Sequence, residues 1–219
     1  MIKTGKIRAI IDVLSKQYEI STWWRGRSAF EMLIVTILSQ RTYWKNVRAA
    51  INKFKKKFKS VKDVANADIK EIEDAIKPAG LYRLRARRIK DLAIAIMNRY
   101  DGDLGKILNL PYEEARKELL SIKGIGPKTA DVFLMFIREE PVLPVDVHIF
   151  RVMRRLGIAR EKDDYETLKT KLEKEISPSE RMKVHLILIE FGRNICKAQN
   201  PKCEECPIKK YCEYYRKKS

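Results

Sequence analysis

The stretch LSIKGIGPKTADV, residues 120–132, joins two amphipathic patterns through a turn that contains two glycines. It predicts a helix that ends near Ile122, a turn over residues 123–126 and a second helix that opens at Pro127. Glycine adopts positive φ and lets another chain approach closely, and proline suits the first position of a helix. The amides that such a turn exposes before a helix N-terminus form a site for a phosphate group. A plain helix–helix connection is at least as good an interpretation of this turn alone.

Helical periodicity extends to both sides of this hairpin. Apolar residues recur at three- and four-residue intervals, as amphipathic helices require, and Gly or Pro separates the segments. The segments span residues 30–38, 47–58, 69–76, 86–100, 113–122, 129–137, 148–156, 165–176 and 179–191. No convincing alternation of polar and apolar residues and no fixed repeat is evident. The sequence therefore predicts an all-α protein that is not a repeat solenoid.

The charge balance indicates a polyanionic partner. The 219 residues include 47 Lys and Arg against 29 Asp and Glu, a formal net charge of +18. A hydrophobic content of 45% excludes disorder over most of the chain. The longest apolar stretches are far shorter than the roughly 20 residues that span a bilayer, and the start of the chain lacks a secretory pattern. We therefore expect an intracellular protein that binds nucleic acid in preference to a membrane surface.

Two residues near the hairpin could carry chemistry. Lys128 lies in the first turn of the second helix, where the macrodipole favours the neutral amine that a nucleophile requires. Local chemistry alone favours the alternative, one more surface lysine. Asp146, in LPVDVHIF at residues 143–150, suits the N-cap of the next helix and could also steady a developing positive charge. His148 is interpreted as structural or phosphate-contacting, because no Ser or Cys partner is evident.

All four cysteines lie within the last 24 residues of the sequence. Cys196, Cys203, Cys206 and Cys212 are separated by 6, 2 and 5 residues, which argues against disulfides distributed through a secreted fold. Four thiolates at this spacing could hold a structural zinc ion or a cubane iron–sulfur cluster, and the spacing alone leaves both open. Either metal would cross-link a small lobe whose lysines, Lys197 among them, form a basic surface.

Taken together, these features resemble the endonuclease III family of DNA glycosylases, within the helix-hairpin-helix superfamily. The matching strings occur in family order over nearly the whole chain. They are LSQRT (38–42), GLY (80–82), GIGPKTAD (124–131), VDVHIFRV (145–152), FGRNIC (191–196) and the spacing of the four cysteines. The abundance of Lys and Glu adds a hint of an archaeal or thermophilic source.

The resemblance implies two helical domains that flank a DNA-binding cleft. Residues 23–135 would contain the hairpin. Residues 1–22 together with 136–219 would carry one 4Fe-4S cluster per chain, held by the four cysteines in the loop 196–212. The implied protein is a monomeric base-excision-repair enzyme without a membrane partner. It would act on double-stranded DNA with a damaged base or an abasic site, in the nucleoid-associated cytoplasm of a prokaryote.

The resemblance also implies roles for single residues. Lys128 would attack C1′ of a flipped-out nucleotide, expel a damaged pyrimidine and form a Schiff base whose β-elimination cuts the strand on the 3′ side. Asp146 would be the essential carboxylate. Gln40 would fill the vacated space and Leu81 would act as a wedge in the base stack; their structural alternatives are a polar helix end and a buried leucine. Further DNA contacts are expected from Arg83, Gly124, Gly126, His148 and Lys197.

The arginines after Leu81 form a second group of expected DNA contacts. Arg83, Arg85, Arg87 and Arg88 are close enough in sequence to hold the kinked backbone together. Four residues at this spacing cannot all face one way on a helix, so one or two of them are expected to be solvated.

Three positions depart from the family pattern and leave the substrate open. Lys123 replaces a proline, Pro127 replaces a basic residue and Val147 replaces a threonine. One alternative is therefore a uracil or G·T mismatch glycosylase with weak or no lyase activity. An alternative of another class is a non-catalytic, zinc-stabilised DNA-binding module.

Overall fold

The computed structural model describes residues 5–40 and 42–218, and every regular element in these residues is helical. This confirms the all-α prediction. Three 3-10 helices lie at Lys77–Ala79, Pro178–Glu180 and Lys209–Tyr211. The α-helices are α1 Lys6–Ser15, α2 Ala29–Leu38, α3 Trp44–Lys57, α4 Val61–Asn66, α5 Ile69–Ile76, α6 Tyr82–Tyr100, α7 Gly105–Leu108, α8 Tyr112–Leu120, α9 Pro127–Ile137, α10 Val147–Arg155, α11 Tyr165–Glu175, α12 Arg181–Asn194 and α13 Glu213–Lys218.

The nine predicted segments correspond to nine of these helices, and α1 and the short helices α4, α7 and α13 were not among them. Helices of four to six residues contain too little sequence to show a period. Helix α4 is specified by its start instead: Ser60 accepts a hydrogen bond from the Asp63 amide, and the Asp63 side chain accepts one from the Ser60 amide. None of the described helices is long and apolar enough to span a membrane.

The chain forms two compact units, Met1–Trp23 with Pro141–Ser219, and Trp24–Glu140. The expected boundary after residue 135 falls too early, because it would cut α9, which continues to Ile137 and is capped by Arg138. Residues 1–4 of the expected terminal domain lie outside the described residues.

In the unit Trp24–Glu140, helix α2 is the central element. It packs against α3, α6 and α9 and is buried over most of its length, with Met32, Leu33 and Ile34 fully inaccessible. A helix that is apolar on nearly all sides is stable only inside a core. Its contact with α9 fixes the helix whose first turn carries Lys128.

The unit formed by both ends of the chain is built from α1 and α10–α12. Leu143, Ile149 and Phe191 belong to its hydrophobic core. Helices α10 and α12 approach closely at Gly192, where an added Cβ would lie 2.9 Å from the Cβ of His148. A side chain at residue 192 would therefore push apart the helix that begins at Asp146 and the helix that leads to Cys196.

Candidate functional site

The hairpin turn has the predicted place between α8 and α9, but its two glycines differ. Gly124 has φ +95°, a conformation that other residues adopt only with strain. Gly126 has φ −96° and ψ 175°, extended backbone that any residue can adopt. An added Cβ at either position would meet nothing within 4 Å. The positive φ explains why residue 124 is a glycine. At residue 126 the backbone requires no glycine, but the empty space around it leaves room for another molecule to approach closely.

Lys128 is the second residue of α9, directly after the turn, and its side chain is half-buried. The three residues that follow it, Thr129, Ala130 and Asp131, are buried and hold the helix in its core. The amine is thus attached to a rigid element and lies at the helix end where the macrodipole disfavours a positive charge.

A buried ion pair joins the two helices of the hairpin. Asp131 is fully buried, and its Oδ1 accepts hydrogen bonds from Arg116 Nε at 2.6 Å and from the Tyr112 hydroxyl at 2.9 Å. Burial, reinforced by Asp131, raises the pKa of Tyr112, so its hydroxyl remains a donor. The sequence alone predicts no role for Asp131 or Arg116, because a contact between residues 15 apart on two helices has no local signal.

Asp146 is the N-cap of α10, as predicted. Its Oδ1 accepts hydrogen bonds from the amides of His148, at 2.8 Å, and Ile149, at 2.9 Å. Both bonds use the same oxygen, which leaves Oδ2 outside the cap. The preceding loop is also fixed, because the Leu143 amide donates to Glu173 Oε1 at 2.7 Å. The carboxylate is thus half-buried and held in one orientation.

His148 has a defined tautomer. Arg151 Nη2 lies 3.0 Å from His148 Nδ1, and since a guanidinium can only donate, Nδ1 accepts and the ring proton is on Nε2. Burial, opposed by Asp146 and aided by Arg151, lowers the pKa of His148. With Nδ1 as the acceptor, the ring presents Nε2–H as its remaining donor.

Helix α10 is also bonded to the loop that carries the cysteines, a connection that the sequence analysis missed. Arg151 donates to the carbonyls of Gly192, at 2.7 Å, and Cys196, at 2.9 Å. Arg155, one turn later, donates to Cys196 Sγ at 3.3 Å and to the Lys197 carbonyl at 2.6 Å. The helix capped by Asp146 thereby positions the first cysteine.

The four cysteines carry free thiols and line one pocket. Burial raises the pKa of Cys206 to about 11 and also raises that of Cys196, and metal coordination reverses this preference by binding the thiolate. Among the described residues, no three Cys, His, Asp or Glu side chains are placed to hold a single ion. A cubane cluster separates its four thiolates by an iron–sulfur core, so an apolar cavity lined by four thiols fits it.

The basic surface around the cysteines is partly neutralised. Lys202 pairs with Glu205 at 3.1 Å, and Lys209 lies 3.5 Å from Glu204. Lys197 is exposed in the loop between the first two cysteines. Lys197 therefore remains the better candidate for a phosphate contact in this loop.

The residues expected to enter the DNA lie next to the ends of two helices in the unit Trp24–Glu140. Gln40 lies after α2 and is half-buried, whereas Arg41 of the same motif is outside the described residues. Leu81 precedes α6 with φ +48° and is 63% exposed. The alternative of a buried leucine is therefore wrong. An exposed leucine in a left-handed conformation is strained, and such strain concentrates at functional sites.

The arginines after Leu81 divide into two kinds. Arg83, Arg87 and Arg88 are exposed, but Arg85 is only 3% exposed. Its guanidinium donates to the carbonyls of Ala79, Gly80 and Gln40, and burial lowers its pKa. The expectation that Arg85 holds the DNA backbone is wrong, because its donors are used inside the protein.

Comparisons with known proteins agree with this geometry. Residues 34–178 match the HhH-GPD superfamily of base excision DNA repair proteins, and residues 196–212 match the iron–sulfur binding domain of endonuclease III. The second match decides between the two metals left open by the spacing. The protein carries a 4Fe-4S cluster rather than a structural zinc ion.

Relatives of this chain include the endonucleases III of Thermotoga maritima and Sulfolobus acidocaldarius. They are 35% and 34% identical to it, over 86% and 96% of this chain and 84% and 93% of their own lengths. A non-covalent endonuclease III–DNA complex superposes with a TM-score of 0.87 at 31% identity, covering 100% of this chain and 99% of that one. A thermostable thymine-DNA glycosylase superposes with a TM-score of 0.79 at 28% identity, covering 96% and 95%.

Proposed function

Because this chain belongs to the endonuclease III family of base-excision-repair DNA glycosylases, we propose that it removes a damaged pyrimidine and then cuts the strand 3′ to the abasic site. The observation that carries the proposal is the position of Lys128 in the first turn of α9, directly after the hairpin turn. A pure hydrolase needs no amine there, whereas a lyase needs one to form a Schiff base.

Lys128 would act as the nucleophile. Its Nζ forms a bond to C1′ of the flipped-out nucleotide as the bond from C1′ to the base breaks, and the base leaves with that electron pair and takes up a proton. Opening of the sugar ring gives a Schiff base between Nζ and C1′. Loss of a proton from C2′ then expels the 3′ phosphate, and water releases the lysine. The position at the helix N-terminus supports this role, because it favours the neutral amine.

Asp146 would stabilise the positive charge that develops on the sugar as the base leaves. Its cap bonds use Oδ1 alone and fix the carboxylate before the substrate arrives. A charge that is already oriented costs no reorganisation during the reaction, which is why fixed groups stabilise transition states well.

Binding of damaged double-stranded DNA would use residues with separate tasks. Gln40 would occupy the space of the flipped nucleotide, and Leu81 would wedge apart the stack at a cost of a few kcal/mol per step, offset by contacts with the bent duplex. The backbone contacts would come from Arg83, Gly124, Gly126, His148 and Lys197. We also propose that the protein acts as a monomer, near the nucleoid in a prokaryotic cytoplasm; its named relatives come from prokaryotes.

The cluster would be held by Cys196, Cys203, Cys206 and Cys212, which line one cavity. When bound, it supplies a rigid cross-link between short polar loops. Arg151 and Arg155 would transmit this rigidity to α10. Its role would therefore be to shape the Lys197 loop for phosphate contact.

A trapping experiment tests the role of Lys128. Borohydride reduces a Schiff base to a stable amine, so the wild-type protein should form a covalent adduct with duplex DNA that contains an abasic site. Lys128→Ala should lose the adduct, because no amine remains at the start of α9. The matched control is Lys117→Ala, which removes an exposed lysine from the other helix of the hairpin and should leave trapping unchanged. An adduct that persists in Lys128→Ala would overturn the assignment.

A second candidate function is a mismatch or uracil glycosylase. It is favoured by the superposition with a thermostable thymine-DNA glycosylase. It is also favoured by Val147, which replaces the family's threonine directly after Asp146 and is 73% exposed. Product analysis on duplexes with thymine glycol, uracil and a G·T mismatch separates the two. Release of uracil or mismatched thymine without strand cutting would favour this second function.

A further inference from the structure

The buried guanidinium of Arg85 joins two loops that the proposed function sends into the DNA. Nη1 donates to the carbonyls of Ala79, at 2.7 Å, and Gly80, at 3.1 Å, and Nη2 donates to the carbonyl of Gln40. One planar group thus holds the backbone of the Gln40 segment and the backbone that directly precedes Leu81.

The arrangement is specific to a planar cation with several donors. Among the described residues, the hydrogen-bond partners of the Arg85 side chain are backbone carbonyls, and the side chain is 3% exposed. The fork of a guanidinium can serve two carbonyl groups in different directions at once, whereas a lysine is a point charge. The free-energy cost of burying the charge is offset only if all these hydrogen bonds are made. The two loops are therefore held in one position relative to each other.

A second hydrogen bond between the two loops and a strained backbone lie beside the Arg85 guanidinium. The Thr42 hydroxyl donates to the Ala79 carbonyl at 3.1 Å, which ties the same two loops again. Gly80 and Leu81 both have positive φ, +70° and +48°. A leucine keeps such a conformation only where its surroundings determine it. The donors of Arg85 supply that constraint on the residue before Leu81.

We propose that Arg85 is a positioning residue that couples Gln40 to Leu81, so that the filling of the vacated space and the wedging of the stack occur together. The inference rests on the proposed function, in which these two residues enter the duplex. Arg85 itself touches no DNA. Without Arg85, Gln40 and Leu81 would still be present, but the position of one loop relative to the other would no longer be fixed.

The direct test measures unstacking rather than chemistry. A 2-aminopurine base placed opposite an abasic site fluoresces more when it loses its stacking partners, and fluorescence anisotropy reports binding of the same duplex. Arg85→Gln should lose most of the fluorescence rise at saturating protein, while affinity changes by less than about threefold, because the exposed cations that contact phosphate are intact. Arg85→Lys should recover only part of the rise.

The matched control is Lys90, on the same helix. Its Nζ donates to the Ala67 carbonyl at 2.6 Å, so it is also a half-buried cation that bonds a loop carbonyl, but of a loop outside the proposed DNA contacts. Lys90→Gln should lower the melting temperature and leave the fluorescence rise unchanged. If Lys90→Gln and Arg85→Gln reduced the rise equally, Arg85 would have only a general structural role.

Pairwise substitution gives a second test that does not depend on how well one variant folds. Arg85→Gln and Leu81→Ala should each slow single-turnover cutting at an abasic site by about tenfold or more. If Arg85 acts through Leu81, the double variant should be little slower than the single variants, whereas independent roles would multiply the two losses. Multiplied losses would overturn the proposal. A wild-type protein that does not cut at all would refute the proposed lyase, and the fluorescence test would still decide the role of Arg85.

Discussion

At the scale of single residues, Asp146 has a structural role that is visible and a chemical role that is proposed. Its Oδ1 caps α10 by accepting from two amides. Asn and Asp are equally good N-caps, but only Asp carries a charge. The two roles can therefore be separated by a substitution that keeps the cap.

Asp146→Asn should change the free energy of unfolding by less than about 0.5 kcal/mol, whereas Asp146→Ala should lower it by about 1 kcal/mol because the cap is lost. Both variants should release the damaged base at least about a hundredfold more slowly, since the stabilising charge is gone. Denaturant unfolding and single-turnover kinetics check the two effects. If Asp146→Asn were as active as wild type, the residue would be a cap alone.

At the scale of elements, the hairpin depends on a tie between α8 and α9. The carboxylate of Asp131 is fully buried and the Arg116 side chain is 15% exposed, so each compensates the other. Asp131 also lies one turn after Lys128, on the face of α9 that enters the core. The direction of the first turn of α9 is therefore set by this pair as well as by the packing of α2.

Asp131→Ala should lower the free energy of unfolding by about 3 kcal/mol, because it removes the buried carboxylate that compensates the charge of the largely buried Arg116. Lys55→Ala is the control in the same unit. It removes the partner of Glu31 in a pair that is more exposed, and it should cost less than about 1 kcal/mol. Equal losses in urea unfolding of the two variants would mean that Asp131 does not hold the hairpin.

How far the sequence predicts the structure depends on whether a signal is local. The hairpin turn, the cap at Asp146 and the cysteine spacing are local patterns, and each is found at the predicted place. The role of Arg85 has no such local signal. Arg85 stands among arginines of the same type, but its guanidinium bonds the carbonyls of Ala79, Gly80 and the distant Gln40, whereas Arg83 stays exposed.

At the scale of the whole molecule, the charge of +18 is divided between several tasks. Part of the basic surface is paired within the protein, such as Lys57 with Glu71 at 2.9 Å and Lys202 with Glu205 at 3.1 Å. Paired lysines add to the net positive field, but they release few counterions when DNA binds, because a carboxylate already neutralises them. The better candidates for phosphate contacts are the exposed side chains of Lys197, Arg83, Arg87 and Arg88.

Salt dependence of duplex binding measures this division. If about five to eight phosphates are engaged, log affinity should fall with log salt at a slope near −0.9 per contact. Lys197→Gln should make the slope less steep by about 0.9, while Lys57→Gln, whose lysine is paired with Glu71, should leave it unchanged. A slope near zero for the wild type would show that the charge excess does not serve DNA binding.

The most direct test of the central claim is to locate the covalent bond. The wild-type protein is reduced with borohydride on abasic duplex DNA, the adduct is digested with nuclease and protease, and mass spectrometry identifies the modified residue. We predict that the sugar remnant is attached to Lys128, in the first turn of α9. Attachment to another lysine, such as Lys123 in the hairpin turn, or the absence of any adduct would contradict the account.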